Sequence, residues 1–243
     1  MSTTYSGRWR LVLLVLLFGA GRLHAAATQT ATVLVFSQHD EGGASYEARM
    51  LVTPRFLRMD NGKDAGGFIL FNRATHTIYS ISRADRTIMV IPPGKMVSGQ
   101  PVKVSERVVR DRGRFPSIAG RKVVHYTFFT DGKRCLDVYA AAGLLPAAVA
   151  ALREYQLALV PEQVATEAKT PSFMRSVCDI SNYIFRPARY LDFGFPVRQS
   201  DASGTTRQLL SFHTQVPVAS VLFSLPEGYR RFSVRDMAGQ VAP

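Results

Sequence analysis

Six side chains outside the first 25 residues could carry decisive chemistry: Cys135, Cys178, His39, His76, His125 and His213. A cysteine pair makes a disulfide in an oxidising compartment, a redox couple when spaced Cys-x-x-Cys, or part of a zinc site when histidines lie close. The redox spacing is absent, and no histidine sits near either cysteine in the sequence. A Cys135–Cys178 disulfide is therefore the expectation. By the chain-entropy model, closing a loop of about 43 residues stabilises a fold by roughly 4 kcal/mol. The histidines fall in separate stretches of turn and strand pattern. No His-Glu-x-x-His helix, Gly-x-Ser-x-Gly elbow, glycine-rich phosphate loop or dinucleotide fingerprint accompanies them. Acidic residues are few and lie mostly in turns, which leaves a paired-carboxylate hydrolase unsupported. No catalytic, cofactor-binding or metal-ligating residue is assigned. His39 and His76 read as solvated turn residues, while His125, between Val124 and Tyr126, could face either side of a sheet.

The elements that must position these groups are mainly strands. Residues 1–25 have the three-part organisation of a secretory signal. Arg8 and Arg10 precede the apolar run Leu11 to Phe18, and a small-residue cleavage site follows between Ala25 and Ala26, with Ala27 a close alternative. No other segment reaches the roughly 20 apolar residues of a membrane helix. The expectation is a soluble periplasmic protein, monomeric, formed by residues 26–243 as one domain. Removing Arg8, Arg10 and Arg22 lowers the formal charge from +12 to +9, still basic. That surface would attract anionic membrane or an acidic partner, or is simply basic. Nucleic acid is not expected, because stacking and helix-turn-helix motifs are absent.

From Ala31 the pattern has period two. Strands are expected at Ala31–Gln38, Ala44–Thr53, Arg55–Asp60, Gly67–Phe71, His76–Ser82 and Arg86–Ile91, with Pro92-Pro93 ending the run. Their short polar turns leave no room for parallel crossovers, so they form an antiparallel meander. Pro101–Arg110 reads as another strand, leading into the basic stretch Arg110 to Arg114. Lys122–Thr130 and Lys133–Ala140 meet at Asp131-Gly132, a hairpin signal. The period then changes to about 3.6. Pro146 opens a helix with Val149, Leu152, Tyr155 and Leu159 on one stripe, and Pro161 should kink or restart it. Thr170-Pro171 reads as the cap and first position of a second helix that carries Cys178. Strands resume at Tyr190–Ser200 and Thr205–Gln215. The fold class is α+β: a large antiparallel sheet with helices over one face.

The order of several segments is similar to a known superfamily. Arg58-Met-Asp60, Phe68-Ile-Leu-Phe71, Thr77-Ile-Tyr-Ser80 and Thr87-Ile-Met-Val90 resemble the opening meander of the periplasmic lipoprotein-carrier-like (LolA and LolB) proteins and an uncharacterised exported family within them. Ile118 to Tyr126 with Cys135-Leu-Asp-Val-Tyr139 resembles their middle hairpin, and Leu222 to Tyr229 their closing segment. The resemblance implies a curved, unclosed half-barrel whose concave face is covered by helices and holds acyl chains. Met50, Met59, Phe128, Tyr155, Phe173 and Met174 are the candidate cavity lining, since thioethers and aromatics fill irregular space, although such residues serve equally as plain core. The leading functional expectation is a non-enzymatic binding or carrier-like protein for a lipid, acyl chain or acylated protein. A module with a filled core and a protein partner is the second, and an unrecognised hydrolase the third.

Overall fold

A computed structural model describes residues 27–63, 65–94 and 104–234. The signal stretch 1–25, its Ala25 and Ala26 cleavage site and the first residues of the expected Pro101–Arg110 strand lie outside that set. Among the described residues twelve strands form one sheet: β1 (Thr28–His39), β2 (Tyr46–Val52), β3 (Phe56–Asp60), β4 (Phe68–Asn72), β5 (Thr77–Ser82), β6 (Thr87–Ile91), β7 (Glu106–Arg110), β8 (Val123–Thr130), β9 (Lys133–Ala141), β10 (Phe195–Asp201), β11 (Thr206–Ala219) and β12 (Arg230–Ser233). The order across the sheet is β12-β6-β5-β4-β3-β2-β1-β11-β10-β9-β8-β7, unclosed at both ends. Among the described residues every strand pairing is antiparallel except that of β12 with β6.

The meander arises from turn chemistry as well as apolar alternation. Asp131 and Gly132 both have positive φ, 48° and 77°. That is the combination a two-residue turn needs to match the strand twist. Gly194 (φ 119°) must be glycine for a second reason, because a Cβ there would lie 2.5 Å from the Ala141 carbonyl oxygen where β10 joins β9.

Alternation sorts the side chains into two apolar layers. On one face, Leu34, Met50, Leu57, Phe71 and Ile78 from the meander join Phe128, Val138 and Phe195 from the other half in a single cluster. The long helix α1 (Pro146–Lys169) seats Ala148, Ala151 and Leu152 in that cluster, with Tyr155 and Leu159 packed against it. Arg73 fastens the helix to the end of β4 through a bidentate pair with Glu154 (2.6 and 2.7 Å). On the opposite face a smaller cluster contains Leu51, Phe68, Leu70, Ile81 and Ile88 under Phe223 of the C-terminal segment. Arg58 is almost wholly buried there. Its Nε donates to Asp60 (2.7 Å), its Nη1 donates to the Leu222 carbonyl (2.6 Å), and its guanidinium lies 3.8 Å from the Phe68 ring.

Three local expectations are corrected. Helix α1 runs unbroken through Pro161, so the proline does not restart it. Thr170 does not cap a second helix; it ends α1, since the residue before a proline is driven to extended backbone and Thr170 has ψ 127°. Ser176 is the actual cap, its Oγ accepting from the Asp179 N–H, and Cys178 sits in the single helical turn Val177–Asp179 before the π-helical Ile180–Phe185. Finally, the expected strand from Tyr190 begins only at Phe195, because Arg189–Phe193 form a 3₁₀ turn.

Candidate functional site

The helical segment 172–193 is stapled to the sheet by covalent and ionic bonds. Cys135 on β9 and Cys178 are joined in a disulfide, with the Cα atoms 4.9 Å apart. Glu106 on β7 accepts from Ser181 (2.9 Å), pairs with Arg186 (3.4 Å) and forms a tight ion pair with Arg189. Arg189 also donates to Asn182 (2.8 Å), and Asn182 donates to the Cys135 carbonyl (3.1 Å). Burial lowers the pKa of Arg189, and the Glu106 charge opposes that shift.

Between this segment, α1 and strands β9–β10 lies a cleft of about 60 Å³ lined by Leu136, Gln156, Tyr183, Arg186, Tyr190 and Gln199. A water needs roughly 10–15 Å³ by this kind of measure, so the cleft admits a few waters and no acyl chain. Its walls mix polar and apolar surface and are electrostatically uneven. Burial and then Asp201 push the Asp179 carboxyl up; burial, with Asp201 and Asp179 beside it, pushes the Tyr183 phenol up to about 12. Next to Gln199 in the register is Arg207 on β11, which also lies opposite Gln38 on β1. The Arg207 guanidinium stands 4.4 Å from the Phe36 ring.

The candidate lining residues separate into two groups. Met50, Met59, Phe128 and Tyr155 come together in the helix-bearing cluster: Met50 and Phe128 are fully buried, while Met59 and Tyr155 pack against the cluster partly buried. Phe173 and Met174 do not join them. They occupy a 3₁₀ turn on the surface, 87% and 64% exposed, because Pro171 ends the helical path that would have turned them inward. Tyr155 meets Phe71 edge-on at 5.8 Å, and Phe128 meets Phe193 edge-on at 5.5 Å, both favourable ring geometries.

Of the histidines, His125 alone gathers carboxylates among the described residues. Its Nε2 lies 2.9 Å from Asp137 and its Nδ1 3.3 Å from Asp111, while its ring stacks on Tyr139 at 4.4 Å. Asp137 also accepts from Thr127 (2.8 Å) and Arg134 (2.5 Å). Burial raises its pKa, but these bonds prevail and hold it below the usual carboxylate range. With a carboxylate at each ring nitrogen, the arrangement ties the 111–115 loop over β8 and β9. His76 is exposed in a turn, as expected, whereas His39 closes β1 opposite Thr206 and His213 is exposed on β11. No group of three or more His, Cys, Asp and Glu suited to a metal ion occurs among the described residues.

Sequence reasoning missed Glu106, Arg189 and Arg207. Arg207 alone left a trace, since it shares strand parity with Leu209, which packs on the helix-bearing cluster.

No family model and no curated protein match this chain. Among solved structures, an uncharacterized conserved protein from Thermus thermophilus is similar at 10% identity, over 84% of this chain and 90% of that one, with a TM-score of 0.43. Two structures of PNGF-II are similar at 8% and 7% identity over 87% and 88% of this chain, with TM-scores of 0.43 and 0.44. This chain spans about a third of the PNGF-II length, 32% and 33%.

Proposed function

We propose that the protein is a non-enzymatic, carrier-like binding protein of the periplasm, with a LolA-like half-barrel whose concave face is covered by helices. Its ligand is apolar: a lipid, an acyl chain or an acylated protein. The observation that carries the reading is the apolar layer running from Phe71 and Ile78 in the meander to Phe128 and Val138 beyond β10, under one helix. A layer of that width offers a ligand the continuous apolar contact that binding sites use. The exposed Arg110, Arg112, Arg114, Arg121 and Lys122 would assist approach to anionic membrane.

A second reading is favoured by one specific observation. Met50, Phe71 and Ala151 are fully buried and the cleft between α1 and the 172–193 segment is small, as in an interaction module with a filled core. A ligand-bearing state therefore requires α1 to move outward from its seat. Native mass spectrometry and lipid extraction of gently purified protein test the two. A stoichiometric acyl species, with faster amide exchange in α1 when it is bound, is expected from the carrier. Absence of any acyl species or acyl binding, together with stable capture of one envelope protein, would establish the module instead.

A further inference from the structure

Arg207 is only part-buried, yet a polar nitrogen shut off from water normally has an acceptor, and one without needs an explanation. Arg207 has no carboxylate within ion-pair distance among the described residues. Its Nε is shut off from solvent and has no acceptor. One side of the guanidinium rests on Phe36. The groups that feel its charge are phenols: Tyr155 from α1, Tyr190 from the 3₁₀ turn and Tyr46 from β2. The carboxylates on adjoining turns are committed elsewhere. Asp201 accepts from Ser203, from the Thr205 N–H and from Tyr183, and Asp40 accepts from Tyr46 and Gln38. Arg207 therefore presents an uncompensated positive charge at one edge of the apolar layer, beside Gln199 and the Tyr190 cleft.

We propose that Arg207, with Tyr155 and Tyr190, forms a head-group site for the anionic oxygen group of an alkyl amphiphile, a carboxylate or a phosphate whose chain lies along the Phe36 and Leu34 layer. The inference rests on the apolar-ligand reading and deepens it. A guanidinium donates to an oxyanion through bonds about twice as strong as neutral ones, and the phenols supply further donors.

The test compares hexadecanoate, hexadecyl phosphate and hexadecanol on the purified protein by calorimetry, with phosphate titration followed at the Arg207 Nε–H by nitrogen-15 NMR. The expected result is at least about tenfold tighter binding of one or both anionic amphiphiles than of hexadecanol, the better one identifying the head group. The preference should vanish in Arg207→Gln and persist in part in Arg207→Lys. The wild-type comparison stands even if Arg207→Gln does not fold. Hexadecanol bound as tightly as both anions would overturn the head-group site and leave the apolar reading intact. No amphiphile bound, but a phosphate-dependent Nε–H shift, would retain the anion site and refute the apolar reading. Neither signal would overturn both.

Discussion

Removing the Cys135–Cys178 bridge by the double change to alanine separates two ways in which the helical segment is held. The bridge closes a loop of 43 residues, which in the chain-entropy model makes the unfolded ensemble less favourable by about 4 kcal/mol. In the folded state the same segment is held independently by Glu106 on Ser181, Arg186 and Arg189, and by Asn182 on the Cys135 carbonyl. The native geometry should survive, so the loss comes from the unfolded side. In urea unfolding followed by circular dichroism, the midpoint should fall by about 1–2 M, for a slope of about 2–3 kcal/mol per molar, and the slope should rise because the unfolded chain is released. Glu106→Gln acts on the folded state, leaving the buried Arg189 poorly compensated, and should cost about 3 kcal/mol. Because the two changes act on different states, their effects should add within about 0.5 kcal/mol. A bridge loss under about 1 kcal/mol, or a coupling of about 2 kcal/mol or more, would refute this account and place the bridge among the native-state constraints.

Arg58→Met should destabilise by about 3–5 kcal/mol, since it strips Asp60 of one buried cation and leaves the Leu222 carbonyl without its donor; a thermal melt within a few degrees of wild type would contradict this. Burial raises the Asp60 pKa, but hydrogen bonds from Arg49 and Arg58 prevail and hold it below the ordinary range. Its stabilisation is thus present above about pH 4 and lost as pH falls through the depressed folded value, so Asp60→Asn should give a shallower acid unfolding slope below about pH 4. Tyr183, raised to about 12, favours its neutral form in the fold; its contribution is full below pH 10 and declines between there and about 12. Carbon-13 NMR of the tyrosine ring should find it titrating well above 10, and titration near 10 would be the contrary result. Gly94→Ala puts a Cβ 2.4 Å from the Pro161 Cβ, so the chain leaving β6 must retreat from α1, at an expected cost of about 1–3 kcal/mol in chemical denaturation; an unchanged midpoint would show that it retreats freely.

The meander was legible because alternation and turn residues are local properties. Arg55 to Asp60 and Arg86 to Ile91 carry the signal of β3 and β6 to within a residue, and Asp131-Gly132 specifies its hairpin. Strand β12 was not legible, for Arg230–Ser233 has no alternation of its own and takes its conformation from parallel pairing with Thr87–Val90. The helical stretch misled where one residue overrode periodicity: Pro171 breaks the path, and Phe173 and Met174 go to the surface with it. The disulfide followed from a count of two cysteines, while the Glu106 network joins residues whose proximity depends on the completed sheet. An inward Arg207 could be read from its parity with Leu209. Its lack of a carboxylate could not, since that depends on what every neighbouring strand brings.

The strand order also governs how the chain reaches this state. β1 is made before the other described strands, yet it occupies an interior position, with Thr28 beside Ala219 and His39 beside Thr206. Until β10 and β11 have been synthesised, the meander ends in a bare edge carrying unpaired backbone donors and acceptors. Such non-local pairing raises contact order and is expected to slow folding, leaving the half-made molecule the form most exposed to wrong pairing. A pulse of urea-denatured protein refolded at rising concentration should lose yield steeply, and added β10–β11 peptide should compete for that edge.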